Sequence, residues 1–410
     1  MIIKKIHYCY VPIICGIFKK IFFYFLLFIF LLLIFFFLLK IFDNYFLYNY
    51  ISNKNFERFL LPPEKKVKYI THEFNIVVST NKFGFRGDDK FLKEKQIIVV
   101  GDSQTFGWGL NNNETWPFYL KSYLDQADKN LEVYNLGVPG THTNEHIFIA
   151  KEYINKFKPK ISIIAIGLSD DLQQILEQEI LMLNKVNISK NNKSSKINFL
   201  KKKIKNFYPN IYYFFKKIQN YSLDEIFGGY LLATKDWKYV SKEIFEKEYP
   251  IEIKELMKKG FINPGIFQLA NYYPNRNLSF YKNIANNDSL ENKIFNETIQ
   301  NFKDLKKIAD NNNTKLFLLS IPSGGYVDSL NFENLKKFGF MLSNEDLETF
   351  LPEEILENMS NEINVNFIKT LRLFRDLKKE TFFAYDGHFN REGAKFMSEI
   401  IYNYLEKNFF

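Results

Sequence analysis

Chemistry in this chain starts from a serine. The run Ile97-Ile98-Val99-Val100-Gly101-Asp102-Ser103-Gln104-Thr105-Phe106-Gly107-Trp108-Gly109 passes from a continuous apolar stretch into Gly-Asp-Ser-x-Thr-x-Gly. A strand ending this way delivers the Ser103 hydroxyl to the carboxyl edge of a sheet, where open α/β sheets bind their ligands. Small residues beside it let backbone approach a ligand closely. A serine becomes a nucleophile only with a base beside it, and an amide at the following helix start can hold an oxyanion. The same run also fits a strand-turn with a capping serine. A phosphatase of the Asp-x-Asp-x-Thr kind fits less well, because Gln104 occupies the second aspartate position.

A base is available far downstream, in Tyr385-Asp386-Gly387-His388-Phe389-Asn390-Arg391-Glu392-Gly393-Ala394. An acid two residues before a histidine on an extended loop can fix the ring's tautomer and stabilise the imidazolium, so His388 is the candidate base; a purely structural Asp–His pair uses the same spacing. The chain has five histidines. His7 precedes the apolar run and His72 lies in a lead-in segment. His142 and His146 stand at i and i+4 and could bind zinc from one helix face, but Thr143 occupies the metalloprotease glutamate position and no third ligand is evident. Both cysteines, Cys9 and Cys15, precede the apolar run, which leaves the body without a thiol for a disulfide, a zinc site or a nucleophile. Cys15 has no lipobox in front of it.

Two further blocks deliver polar residues to the same edge. Val133-Tyr134-Asn135-Leu136-Gly137-Val138-Pro139-Gly140-Thr141 is a strand ending in Gly-x-x-Gly, so Gly140 could present its amide. Ile161-Ser162-Ile163-Ile164-Ala165-Ile166-Gly167-Leu168-Ser169-Asp170-Asp171 is another buried strand with a polar end. The paired aspartates suit a metal, but no partner carboxylate stands at a recognisable spacing.

The elements that must position these residues follow from hydrophobic period. Apolar runs at Ile97–Val100, Val133–Val138, Ile161–Ile166 and Lys315–Ile321 are each followed by a stretch with helical spacing. Strands of this kind, alternating with helices, predict a parallel sheet covered on both faces. Residues 41–92 read as a linker and lead-in with Pro62-Pro63 and the turn-like segment Asn81–Gly87, and 93–410 as the domain. Between about 176 and 290 the alternation breaks into Lys/Asn-rich tracts at 184–193 and 201–205, read as an insertion. Its lysines could form a basic face for anionic glycans or lipid headgroups, or reflect only the Lys/Asn/Ile/Phe bias of the whole chain.

Four blocks in this order resemble the SGNH (GDSL-type) hydrolase family, membrane-anchored bacterial type, over about residues 81–410 without the insertion. The resemblance implies a flavodoxin-like three-layer α/β/α sandwich, and ester hydrolysis or acyl transfer through an acyl-enzyme. It makes Ser103 the nucleophile, His388 the base and Asp386 its orienting acid. The implied oxyanion donors are the Ser103 amide, the Gly140 amide and position 169. Two residues depart from the family's pattern. Ser169 stands where the Gly-x-Asn-Asp block has its amide donor, and Asp-Gly-His replaces the usual Asp-x-x-His. This mechanism needs no metal or organic cofactor.

Residues 21–39 are nineteen consecutive apolar residues without Gly, Pro or charge, about 28 Å of helix and close to a bilayer core. They read as an uncleaved transmembrane helix, since a signal peptide's apolar region is shorter and Asp43-Asn44-Tyr45 is no cleavage site. Lysines concentrated before it favour a cytoplasmic 1–20 and an extracytoplasmic domain. The net charge is +9, but the first 40 residues hold five lysines and no acid, so the body carries only +4. That balance argues against a nucleic-acid binder, and a 46% hydrophobic, 25% charged composition argues against disorder. The expectation is a membrane-tethered esterase or O-acyltransferase acting on acylated envelope glycans, with a lipid esterase and a non-catalytic glycan- or partner-binding protein as alternatives. The oligomeric state is open.

Overall fold

A computed structural model describes residues 3–43, 66–87 except 72, 96–180 and 278–410, with short pieces at 207–208, 211, 230–232 and 250–258 and single positions at 64, 266 and 270. His72, the tracts at 184–193 and 201–205, and most of the 176–290 insertion lie outside the described residues. The chain divides into two units, 1–57 with 193–220, and 58–192 with 221–410.

The first unit contains helix α1 (Ile3–Ile41). Within it, Lys20–Ile41 is long and apolar enough to cross a membrane, with a mean hydropathy of 3.2 over its 18-residue apolar window. Past its end the buried Asp43 carboxylate accepts the Ile211 amide at 2.6 Å.

The second unit holds the chemistry. In chain order its elements include β1 (Lys66–Ile70), β2 (Asn75–Ser79), β3 (Gln96–Gly101), the short α2 (Ser103–Phe106), α3 (Trp116–Gln126), β4 (Glu132–Gly137), α4 (Thr143–Phe157) and β5 (Ile161–Gly167). There follow β6 (Tyr230–Leu232), α5 (Leu290–Asn311), β7 (Lys315–Ile321), α6 (Leu351–Glu362), β8 (Asn366–Ile368) and α7 (Arg391–Asn408). Strands β4-β3-β5-β7-β8 form a parallel sheet. Counted within the sheet the order is 2-1-3-4-5, which is flavodoxin-like, with its switch point between β3 and β5.

Alternation along the strands explains the three layers. Ile97 and Val99 of β3, Ile161 and Ile163 of β5, and Phe317 and Leu319 of β7 face a core with Trp116, Leu120 and Leu124 of α3 and Met397, Ile401 and Leu405 of α7. Helix α4 packs on β3 and β5, and α5 packs on α4 and β7. Burying both faces makes these strands continuously apolar, which is why their positions could be read from sequence.

The lead-in contains more structure than a connection. Strands β1 and β2 form an antiparallel hairpin, and β6 adds to β1 in parallel. Val67, Tyr69, Ile76 and Val78 alternate inward and build a second small core with Phe74 and Phe106, against which Trp108 and Phe383 pack.

Candidate active site

The register aligns the strand ends that matter. Gly101 pairs with Gly137, and Gly167 with Ile321, so β3, β4 and β5 release their following residues at one carboxyl edge. Gly137 permits the nucleophile turn to lie close: a Cβ there would stand 2.3 Å from the Phe106 amide nitrogen and 2.7 Å from the Thr105 carbonyl carbon. Both are fixed backbone atoms, so no side chain fits. Asp102 starts α2 by accepting the Gln104 amide at 2.9 Å, and Gly107 ends it with φ +84°. Ser103 is thus the first residue of a one-turn helix, half-buried, with its amide at the helix start where backbone donors lack intrahelical partners.

Arg86, buried to 3% exposure, holds the other end of that turn. Its Nη1 donates to the Phe106 and Gly107 carbonyls at 3.0 and 2.6 Å, its Nη2 donates to the Leu110 carbonyl, and its Nε donates to Asn112 Oδ1 at 2.9 Å.

The structure brings Ser103, His388 and Asp386 together. His388 Nε2 lies 2.7 Å from Ser103 Oγ, and His388 Nδ1 lies 2.5 Å from Asp386 Oδ1. With Nδ1–H donated to the carboxylate, Nε2 presents a lone pair to the serine hydroxyl, the arrangement a general base requires. The Asp-Gly-His spacing reaches this geometry because Gly387, at φ +78°, turns the chain between the two side chains. Asp386 Oδ2 accepts the Trp108 indole N–H at 3.2 Å.

Sequence reasoning missed Gln104 and Glu73. Gln104 Nε2 donates to the Gly387 carbonyl at 3.3 Å and its Oε1 accepts the Phe389 amide at 2.9 Å, so one side chain next to the nucleophile grips the backbone on both sides of His388. Glu73, in the β1–β2 turn, accepts the Tyr385 amide at 3.0 Å and the Asp386 amide at 2.7 Å. Partners 285 and 313 residues apart leave no spacing signal; for Glu73 the one available clue was the inward alternation of the hairpin strands.

The candidate oxyanion positions are differently disposed. Gly140 is exposed in the turn after β4, at φ +75°. Ser169 is half-buried after β5, and its hydroxyl donates to Asp170 Oδ1 at 3.3 Å. The hydroxyl must turn away from Asp170 before it can donate to an oxyanion. Asp170 is also held by Gln174 Nε2 at 3.0 Å.

The fold supplies the third carboxylate that the Asp170-Asp171 pair lacked in sequence. Oxygens of Asp102, Asp170 and Asp171 lie within 4.8 Å of one another. Two of the three have backbone duties, since Asp102 caps α2 and Asp171 Oδ2 accepts the Gly167 amide at 2.6 Å. Burial, with repulsion from Asp170 second, pushes the Asp102 carboxyl up to about 7. Burial alone would pull His388 down; the Asp386 charge and hydrogen bond, with Asp102 and Asp170 behind them, outweigh it and raise the imidazole above its ordinary value.

The two histidines weighed for zinc are placed apart in role. His142 is the N-cap of α4, its ring 3.6 Å from Glu145. His146 is fully buried, with Nε2 3.0 Å from the Thr141 hydroxyl. Thr141 already donates its proton to the Val138 carbonyl at 2.7 Å, so it accepts from Nε2–H, and burial pulls His146 down to about 3.

Comparison with known proteins agrees with the blocks read above. Residues 97–401 match the family described as GDSL-like lipase/acylhydrolase. The chain belongs to that family of ester hydrolases. No curated protein sequence matches it. Among solved structures it is similar to TesA, at 11% identity over 76% of this chain and 99% of that one, TM-score 0.35. It is also similar to a lipase/acylhydrolase from Enterococcus faecalis, at 11% identity over 76% and 96%, TM-score 0.35. An acetyl xylan esterase, AlAXEase, is similar at 9% identity over 76% and 99%, TM-score 0.36.

Proposed function

We propose that this chain is a membrane-anchored serine esterase or O-acyltransferase that acts on ester groups, acetyl foremost, of envelope glycans through an acyl-enzyme on Ser103. The observation that carries the proposal is the pair of short contacts from Ser103 Oγ to His388 Nε2 and from His388 Nδ1 to Asp386. No metal or cofactor enters the steps.

His388 Nε2 takes the Ser103 proton as Oγ attacks the ester carbonyl carbon. Negative charge grows on the carbonyl oxygen, and the Ser103 and Gly140 amides are the proposed donors to it; such donors act most strongly when fixed in advance. Asp386 holds the ring in the tautomer that accepts at Nε2 and stabilises the imidazolium that results. Collapse breaks the bond to the leaving alkoxide, which takes the proton from His388. Water or a sugar hydroxyl then gives its proton to His388 and attacks the acyl-Ser103 carbonyl; collapse breaks the carbonyl–Oγ bond, and Oγ takes the proton back from His388, restoring the serine. Hydrolysis and transfer differ only in which hydroxyl arrives.

The apolar helix is the proposed anchor, its N-terminal lysines keep residues 1–20 in the cytoplasm, and 93–410 works outside. The envelope substrate follows from that placement.

A second reading, a non-catalytic glycan- or partner-binding protein of the same fold, draws on Ser169, whose proton is given to Asp170. Incubating the full-length protein in detergent with p-nitrophenyl acetate and an acetylated oligosaccharide distinguishes the two. Catalytic release of nitrophenol, with an acetylated Ser103 peptide trapped at low pH, is expected. Glycan binding without release of either acyl group would favour the binding reading.

A further inference from the structure

We infer that the β1–β2 hairpin, which precedes the family-matched span, is a working part of the active site, and that Glu73 at its turn is a positioning residue for Asp386. The inference rests on the serine-nucleophile reading above.

Glu73 grips backbone, and it grips it with a fork. Its two carboxylate oxygens each take one of two successive amides, Tyr385 and Asp386, and the Ala384 amide faces the same carboxylate. Charge-assisted bonds of this kind are the strong ones, and two together fix orientation as well as distance. The turn that carries Glu73 is itself braced: Thr71 Oγ1 accepts the Glu73 and Phe74 amides, both at 3.1 Å, and the Thr71 amide donates to the Phe74 carbonyl at 2.8 Å.

The hairpin sets the other side of Asp386 as well. Trp108, whose indole N–H reaches Asp386 Oδ2, packs edge-on against Tyr69 and Phe74 with centroids 4.8 and 6.5 Å away. Phe74 also meets Phe383, at 5.4 Å, in the segment entering the His388 loop. Asp386 is therefore held through its backbone by Glu73 and through Oδ2 by Trp108, which leaves Oδ1 for His388.

This support answers a need the sequence exposes. With one residue fewer than the family's usual Asp-x-x-His, the loop turns on Gly387 alone, and glycine does not by itself hold a conformation. Burial, opposed by these amides, and repulsion from Asp386 push the Glu73 carboxyl up; a carboxylate beside another carboxylate is a poor choice for stability alone. Glutamine at position 73 would keep one acceptor and turn an NH2 towards an N–H donor.

The test uses the full-length chain in detergent micelles, comparing wild type, Glu73→Gln and Glu73→Ala by rate, extent and pH dependence of fluorophosphonate labelling. Wild type should label at Ser103. Glu73→Ala should label to the same extent about 100-fold more slowly, the scale of a small misplacement of reacting groups. Glu73→Gln should be about tenfold slower, in line with one lost charge-assisted bond. In both variants the midpoint of the pH profile should move down, because His388 loses contact with Asp386, the group that does most to raise it. A brace acting on folding alone would lower the extent and leave the midpoint in place. Wild-type rate and midpoint in both variants, or slowing that only follows lost extent, would overturn the proposal while leaving Ser103 the nucleophile. A wild type that does not label overturns the serine reading and this proposal together.

Discussion

The hydroxyl of Ser169 yields a paired prediction that separates two ways of building an oxyanion site. It donates to Asp170 Oδ1 at 3.3 Å, so at rest it donates nothing towards Ser103. Ser169→Ala should therefore change kcat by no more than about threefold, about 0.7 kcal/mol at about 1.4 kcal/mol per tenfold. Ser169→Asn adds a side-chain amide with two N–H groups: one can keep Asp170 and the other can reach the oxyanion. A donor of that kind is worth about 10²-fold in kcat, about 2.7 kcal/mol of transition-state stabilisation. The assay is steady-state hydrolysis of p-nitrophenyl acetate with kcat and KM resolved, because an oxyanion donor acts on kcat and a pocket change acts on KM. A 100-fold loss in Ser169→Ala would show that the hydroxyl already serves the oxyanion and would refute the reasoning. An unchanged kcat in Ser169→Asn would remove position 169 from the site.

Three other outcomes follow from particular contacts. Because His388 acts as a base only when neutral, kcat/KM should rise with pH through its raised pKa, and Asp170→Asn, by removing one of the anions that raise it, should move the midpoint to lower pH; a midpoint that stays or rises counts against the assignment. Arg86→Met leaves the Leu110 carbonyl without its donor, while the Phe106 and Gly107 carbonyls and Asn112 Oδ1 keep Asn135 Nδ2, the Leu110 amide and the Ser79 amide, and at about 1–3 kcal/mol per buried unpaired group it should destabilise the domain by about 1–3 kcal/mol in urea unfolding. A loss under about 1 kcal/mol would mean that water replaces the guanidinium. Gln104→Leu removes both grips on the His388 loop, so kcat should fall about 10- to 100-fold with KM nearly unchanged; a selective rise in KM would assign Gln104 to substrate instead.

What could be read ahead of the structure follows from burial. Strands β3, β5 and β7 are covered on both faces, so their apolar runs stand out, and the polar residues after them fall on one edge once the strands are parallel. Ser103, His388 and Asp386 were accessible because each sits in a local block. Strand β8 was not seen, because three residues, Asn366–Ile368, carry no period. The hairpin was hidden in a Tyr/Asn/Lys-rich stretch, although Val67 and Tyr69 alternate with lysines and Ile76 and Val78 repeat the pattern. Glu73 and Gln104 carry no spacing signal. Their roles exist only after folding brings segments hundreds of residues apart into contact.

The central claim, that Ser103 is activated by His388, is tested most directly by fluorophosphonate labelling of the full-length protein beside Ser103→Ala and His388→Ala. Labelling of the wild type at Ser103, lost in both variants, is the predicted result. A folded wild type that stays unlabelled, or a His388→Ala variant that labels as fast as wild type, would contradict it.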